Sequence, residues 1–429
     1  MIDHEIVIIG AGFSGIGVAI SLDRAGFDDY LIVEQGRGFG GTWYWNRYPG
    51  IAVDIPSFSY QFSFEQIDGW TRTYAPGDEL RAYAEHCARK YGLPDRTRFG
   101  TAIVRATFDE DAHAWRLETS DGDTLVARHV IDGTGVLTVP KRPDIEGLDT
   151  FAGEIVHTAR WDGDVALAGK RVAVVGTGAS AIQLIPAIAE DVAHLTVFQR
   201  TPIWCLPKLD YRLPAPVRRV MGLLPGAKRG LRLLSQTFVE LTFPLAAHYH
   251  DPLKLATRFE AQARAYIRSQ VEDPELAEKL TPNYGMGCKR PSFHNTYLAT
   301  YNRPNVTLET DPIARVLPDG IETASGATHD IDVLVLATGF KVFDPGNFPK
   351  YTTTGRDGAD LERFWHDHRY QAYEGVSVPG FPNYFLVCGP YGYNGSSYFN
   401  LIETQSRHIV RILKHARGRG ATSVEVSRE

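Results

Sequence analysis

Apolar positions along the chain fall into two registers, short unbroken β-branched runs and repeats at three-to-four-residue spacing, and the two alternate over much of its length. Glu5–Ile9 is one such run. It enters Gly10-Ala-Gly12-Phe-Ser-Gly15, after which Ile16, Ala19, Ile20 and Leu22 recur at helical spacing until Gly26 closes the helix. The run Tyr30–Val33 ends at Glu34. Much later Lys170–Val175 enters Gly176-Thr-Gly178-Ala-Ser180-Ala181, a helical repeat follows, and the run Leu195–Phe198 ends at Gln199-Arg200. The same strand, glycine turn and helix therefore occur twice.

Between these units, Gly77 to Gly92 reads as an amphipathic helix. Thr101–Phe108, Ala114–Thr119 and Thr124–Ile131 alternate like strands, the last two joined at Asp121-Gly122, as a small meander inserted in the first domain. Val130 then leads into a glycine turn at Gly135 that closes over the first nucleotide. From Leu206 to Leu280 the pattern is mostly helical, and it is read as an insertion packed on the second domain. Asn305–Leu308 returns the chain to the sheet, Val333–Leu336 enters Ala337-Thr338-Gly339 at a sheet edge, and Tyr384–Val387 precedes a last helix, Tyr398–Leu413. The fold class is α/β, with two Rossmann-like dinucleotide-binding domains. Expected bounds are 1–140 for the first domain, 141–320 for the second with a helical insertion at about 206–285, and 321–429 for the resumed first domain.

The turns carry specific chemistry. Gly10 allows the tight turn, Gly12 lets the backbone approach a pyrophosphate, and Gly15 lets helix and strand pack. Amides opening the helix face the phosphates. A carboxylate at Glu34 accepts ribose hydroxyls, whereas Arg200 ends the matching strand of the second unit. An arginine there favours a 2′-phosphate, so the second dinucleotide is NADPH.

Composition narrows the rest. The 429 residues suit two or three domains, and 45 basic against 51 acidic side chains leave a net charge of −6, which disfavours nucleic acid. The opening MIDHEIVIIG runs straight into a strand with no leader pattern, so a cytoplasmic location is expected. Four cysteines form no CxxC pair, and His366 and His368 lack a third partner at useful spacing, so no metal is expected. Arg218, Arg219, Lys228, Arg229 and Arg232 punctuate an apolar stretch that fits contact with a membrane surface; solvated charges on a packed insertion are preferred.

Two stretches remain. Gly40 to Ser57 is a long irregular run holding Trp43, Tyr44, Trp45, Arg47, Tyr48 and Asp54, which fits either a packed aromatic loop or the wall of a flat ring site. Phe151 to Gly163 lies between the nucleotide units; its His157 reads as a hydrogen-bonded hinge residue rather than a base.

At this point the chain resembles the flavoprotein monooxygenases with two dinucleotide domains, most closely the Baeyer-Villiger monooxygenases. One pattern is carried by Gly40, Gly41, Trp43, Tyr48, Pro49, Gly50 and Asp54, the other by Phe151, Gly153, His157, Thr158, Trp161 and Asp162. The resemblance implies FAD, NADPH and O2 as reactants, a flavin peroxide, and a ketone or aldehyde converted to an ester or lactone. It assigns Arg290 as the cation over the flavin and Asp54 as the residue that positions it, with Lys289 and Arg200 on the 2′-phosphate. The further cofactor-binding residues it implies are Gly41, Thr42, Trp43, Tyr60, Gly135, Gly176, Gly178, Ser180, Thr201, Thr338 and Gly339, with His157 and Trp161 coupling the domains. Many members continue past the position of Glu429 with a segment covering the substrate side, so poor shielding and uncoupled hydrogen peroxide release are expected of a shorter form. The alternatives are oxygenation of a sulfide or amine, and a nucleotide-binding flavoprotein with uncoupled NADPH oxidase activity. The substrate and the oligomeric state are left open.

Overall fold

Both glycine turns sit where a buried parallel strand passes into a helix in the computed structural model, which describes residues 1–161, 163, 165–247, 255–342, 347, 350–392 and 397–427. The chain runs β1 (His4–Ile9), α1 (Phe13–Ala25), β2 (Tyr30–Glu34), α2 (Thr42–Trp45), α3 (Gly77–Lys90), β3 (Thr97–Phe99), β4 (Ile103–Asp109), β5 (Ala114–Thr119) and β6 (Thr124–Asp132). Next come β7 (Glu154–His157), β8 (Arg171–Val175), α4 (Ala179–Ile188), β9 (His194–Phe198), β10 (Cys205–Leu206), α5 (Ala215–Leu223), α6 (Ala227–Ala247), α7 (Leu255–Gln270), α8 (Pro274–Lys279) and β11 (Ser292–Phe293). The remainder is α9 (Tyr297–Thr300), β12 (Val306–Glu309), β13 (Ile313–Leu317), β14 (Gly320–Thr323), β15 (Thr328–Asp330), β16 (Val333–Leu336), β17 (Thr352–Thr354), α10 (Leu361–His368), β18 (Tyr384–Leu386) and α11 (Tyr398–Gly418).

Ile6, Val7 and Ile8 of β1 are fully buried and Ile9 nearly so, as an interior parallel strand requires. The first sheet has the order β17-β4-β5-β6-β1-β2-β3, with β18 also on β6. The expected inserted meander is instead part of this sheet. β6 is long enough to pair with β1 along one side while its other side takes β5 near its start and β18 near its end. The C-terminal strand thus closes onto the first domain.

The second sheet is wholly parallel, β12-β9-β8-β16-β7. β16 is interior to it, between β8 and β7, so the second domain runs through Leu336 and the boundary expected at 320 falls too early. A fully buried run such as Val333–Leu336 carries no face pattern to say which sheet it joins. The stretch Phe151 to Gly163 starts as the edge strand β7, beside β16.

The helical insertion divides between the domains, which corrects the expectation that it packs on the second. Ala263, Ile267 and Ala277 of α7 and α8 belong to the second core. Val239 of α6 joins the first core, and Arg232 reaches the carbonyl of Gln61 and, at 2.8 Å, Asn400.

Candidate functional site

The first glycine turn is built by close backbone approach. A Cβ on Gly15 would lie 1.9 Å from the Gly10 carbonyl oxygen, and Gly10 itself has φ +100. Gly41, at φ +55, would put a Cβ 2.8 Å from the Cα of Gly12, so the aromatic loop's glycine packs directly on the nucleotide turn. Gly176 repeats this against Ala337, at φ +111 and 2.7 Å, whereas Gly178 faces open space. Gly12 and Gly178 cap α1 and α4 with no side-chain hydrogen bond, which leaves the first amides of both helices for an anionic ligand.

Both turns open on one cavity of about 1250 Å³. Gly10, Gly12, Glu34, Gly41, Thr42, Trp43, Tyr60 and Gly135 line its first-domain side, Gly178, Ser180 and Gly339 its second-domain side, and Asp54 and Arg290 lie on its wall. Glu34 is buried, and its two oxygens accept the amides of Ala11 at 2.7 Å and Gly36 at 2.6 Å. Burial raises its pKa, against those two hydrogen bonds. Trp43 donates to the Tyr60 hydroxyl at 3.3 Å with the rings edge to face. A cavity of this size lined by uncapped amides, a buried acid and aromatic rings fits a flavin dinucleotide.

The charged pair on the wall is assembled from distant parts. Arg290 precedes β11, whose Ser292 pairs with Cys205 of β10. Asp54 ends the aromatic loop, where Val53 is tied by its amide to Ala75 at 3.0 Å and by its carbonyl to Lys208 Nζ at 2.9 Å. Arg290 Nη2 donates to Asp54 Oδ2 at 2.7 Å. Their side chains are 43% and 38% exposed, so the charges are partly screened.

The aromatic loop also clamps the two domains together, through Gln183 of α4, a residue that the sequence reading missed. Tyr48 donates to Gln183 Oε1 at 3.0 Å, the Ala52 amide to the same oxygen at 3.3 Å, and Gln183 Nε2 to the Ala52 carbonyl at 2.8 Å. Gly50 is the residue that allows this approach: a Cβ there would meet the Gln183 carbonyl oxygen at 2.5 Å. Tyr48 is counted in the second domain's core, together with Trp161.

His157, Trp161, Thr338, Gly15, Gly176, Arg200, Thr201 and Lys289 stand outside the cavity wall. His157 Nδ1 accepts the Ala159 amide at 3.0 Å and Nε2 lies 3.3 Å from Thr338 Oγ1, and burial lowers its pKa. Arg160 of this stretch reaches the first half, where it stacks 4.8 Å over Trp45 and donates to the Thr138 carbonyl at 2.8 Å. Arg200 is exposed at the end of β9, and Thr201 accepts from Thr177 through its carbonyl at 2.9 Å. Lys289 sits 5.0 Å over the Tyr284 ring. Asp162 and most of the loop from Tyr391 to Ser397 lie outside the described residues.

Lys350 is a second residue without a sequence signal. It lines the cavity, with Nζ donating to the carbonyls of Thr134 at 3.1 Å and Gly135 at 2.5 Å, and burial pulls its pKa down to about 8.

A family profile described as pyridine nucleotide-disulphide oxidoreductase matches residues 7–218. Among solved structures, the open crystal structure of cyclohexanone monooxygenase is similar with a TM-score of 0.89 and 31% identity, over 99% of this chain and 90% of that one. A complex of OTEMO with FAD and NADP is similar at 0.87 and 30%, over 99% and 88%. A Baeyer-Villiger monooxygenase of Pseudomonas aeruginosa is 40% identical over 429 residues, covering 98% of this chain and 79% of that relative. With that likeness running nearly end to end, and with the glycine turns and aromatic loop converging on one cavity, the chain belongs to the Baeyer-Villiger monooxygenases, a family of flavoprotein monooxygenases.

Proposed function

We propose that this FAD- and NADPH-dependent monooxygenase inserts one atom of O2 beside the carbonyl of a ketone or aldehyde, giving an ester or lactone. The observation that carries the reading is the Asp54–Arg290 ion pair on the wall of the cavity that both nucleotide turns line. FAD, reduced by NADPH, supplies the oxygen-transferring chemistry. The chain's own task is then electrostatic: negative charge collects on the substrate oxygen as the carbonyl is attacked, and a fixed cation stabilises it. Arg290 provides that cation, and Asp54 holds its fork in place. Neither residue needs to exchange a proton. Gly10, Gly12, Gly15, Glu34, Gly41, Thr42, Tyr60 and Gly135 hold FAD, and Gly176, Gly178, Ser180, Arg200, Thr201 and Lys289 hold NADPH; Trp43 lines the flavin or nicotinamide pocket, and Thr338 and Gly339, just past β16, are further cofactor-binding residues. His157 and Trp161 couple the two halves.

A panel of cyclic, linear and aryl ketones with thioethers, incubated with NADPH and O2, tests this by product mass. Esters or lactones are expected. Sulfoxides with no ester would move the protein to heteroatom oxygenation, and hydrogen peroxide alone would make it an uncoupled oxidase.

A further inference from the structure

Residues 211–239 contain Arg212, Arg218, Arg219, Lys228, Arg229 and Arg232 and no Asp or Glu, within a chain of net charge −6. This stretch covers α5 and the first part of α6, which continues through Glu240 to Ala247. Lys228 lies 3.8 Å from Asp68 and Arg232 3.9 Å from Glu403, which leaves Arg219 and Arg229 as the outward cations of the two helices, and the two faces of the segment differ sharply. At 100° per residue, Arg232, Ser235 and Val239 of α6 share one face. Arg232 bonds to Asn400 at 2.8 Å, Ser235 to Ser59 at 2.9 Å, and Val239 enters the first core. Leu234 and Leu241 project from the opposite face, with Leu233 beside them, and Leu234 is 70% exposed. α5 does the same. Arg218 donates to the Gly69 carbonyl at 3.0 Å and Gly222 packs against Asp68, while Val220, Leu223 and Leu224 turn outward, Leu223 at 76% exposure.

Exposed leucines on two adjacent helices form an apolar surface of the kind that marks an interaction site. Arg219 and Arg229 flank the two stripes, exposed and with no ion pair or hydrogen bond among the described residues. No helix among the described residues is long and apolar enough to cross a membrane, so the face suits a surface rather than a span. A second copy of the chain is a poorer occupant, because a two-fold contact on this face would set the exposed cations Arg219 and Arg229 against those of the partner copy.

We propose that α5 and α6 dock on the surface of an anionic lipid bilayer, with the leucines entering the acyl boundary and Arg219 and Arg229 reaching the headgroup phosphates. The experiment is co-sedimentation of the full FAD-loaded chain with vesicles of phosphatidylcholine alone or mixed equally with phosphatidylglycerol. Binding to the mixed vesicles is expected to be about tenfold or more stronger than to phosphatidylcholine, and to weaken with added salt. Leu223→Asp with Leu234→Asp, and separately Arg219→Glu with Arg229→Glu, should each lower it about tenfold or more. Unchanged FAD content and circular dichroism place those losses at the surface. Absent binding, equal affinity for both vesicles, or variants that bind like the parent would overturn the proposal. So would concentration-dependent dimers that Leu223→Asp dissolves in the absence of lipid.

Discussion

Replacing Arg290 by alanine removes the one charge that the proposed chemistry requires at the substrate oxygen, and the size of the loss follows from its setting. Two unit charges about 4 Å apart interact by about 4 kcal/mol at an effective dielectric constant near 20, or about three decades in rate. Arg290 is 43% exposed, and water on that side reduces the effect. The expected fall in ester formation is therefore about a hundredfold to a thousandfold, the range seen when one oxyanion donor is removed. Asp54→Asn keeps a side chain of the same shape but drops the charge facing Arg290 at 2.7 Å, and a loss of about threefold to tenfold is expected. The two effects should not add: with Arg290 gone there is nothing for Asp54 to position. The assay measures ester formed, NADPH consumed and hydrogen peroxide released in protein of matched FAD content. Arg290→Ala should keep consuming NADPH while the electrons leave as peroxide. Ester yield within about threefold of the parent would refute the role given to this arginine.

Three further outcomes follow from other parts of the molecule. Arg160→Ala breaks the contacts with Trp45 and the Thr138 carbonyl, so ester per NADPH should drop about threefold or more with FAD content unchanged, as it should for His157 and Trp161 variants; loss of FAD with full coupling in the remaining holoenzyme would contradict a coupling role. Arg200→Ala should raise the KM for NADPH about tenfold or more and leave that for NADH nearly unchanged, and equal effects would exclude 2′-phosphate recognition. Burial pushes His129 down to about 3 and His294 to about 4, from an ordinary 6.5. The unfolded chain thus takes up these protons first. Stability is complete above about pH 6.5 and is lost as pH falls toward 4, on the order of 3 kcal/mol for His129 by pH 4. His129 Nδ1 has no hydrogen-bond partner among the described residues, so His129→Leu should flatten the acid side of a melting-temperature profile; an unchanged profile would remove this histidine from the explanation.

Local pattern made the strand, glycine turn and helix units readable, because what the turns demand is itself local: positive φ at Gly10 and Gly176, and close packing of Gly15 on the Gly10 carbonyl within the same turn. The same is not true of pairing across the chain. That β6 is shared by β5 and β18, or that β16 is interior to the second sheet, depends on which buried edge is free once other strands have paired. Asp54 and Arg290 are 236 residues apart, and only the resemblance brought them together in the sequence reading. Gln183, Arg160 and Lys350 were invisible for a related reason. A glutamine on a nucleotide-binding helix, an arginine inside a longer pattern and a lysine in a loop look ordinary until the partner backbone lies beside them. The insertion shows the limit of amphipathic pattern: the spacing predicts helices, but Val239 packs on one domain and Ile267 on the other.

The central claim, that oxygen from O2 enters beside a carbonyl, is tested most directly by isotope. The purified protein is incubated with NADPH, FAD, a ketone it converts and 18O2 in ordinary water, and the product is weighed by mass spectrometry. One heavy atom in the ring or chain oxygen of an ester or lactone, with the carbonyl oxygen unlabelled, is the predicted result. An unlabelled product, or NADPH consumption balanced entirely by labelled hydrogen peroxide across the ketone panel, would contradict it.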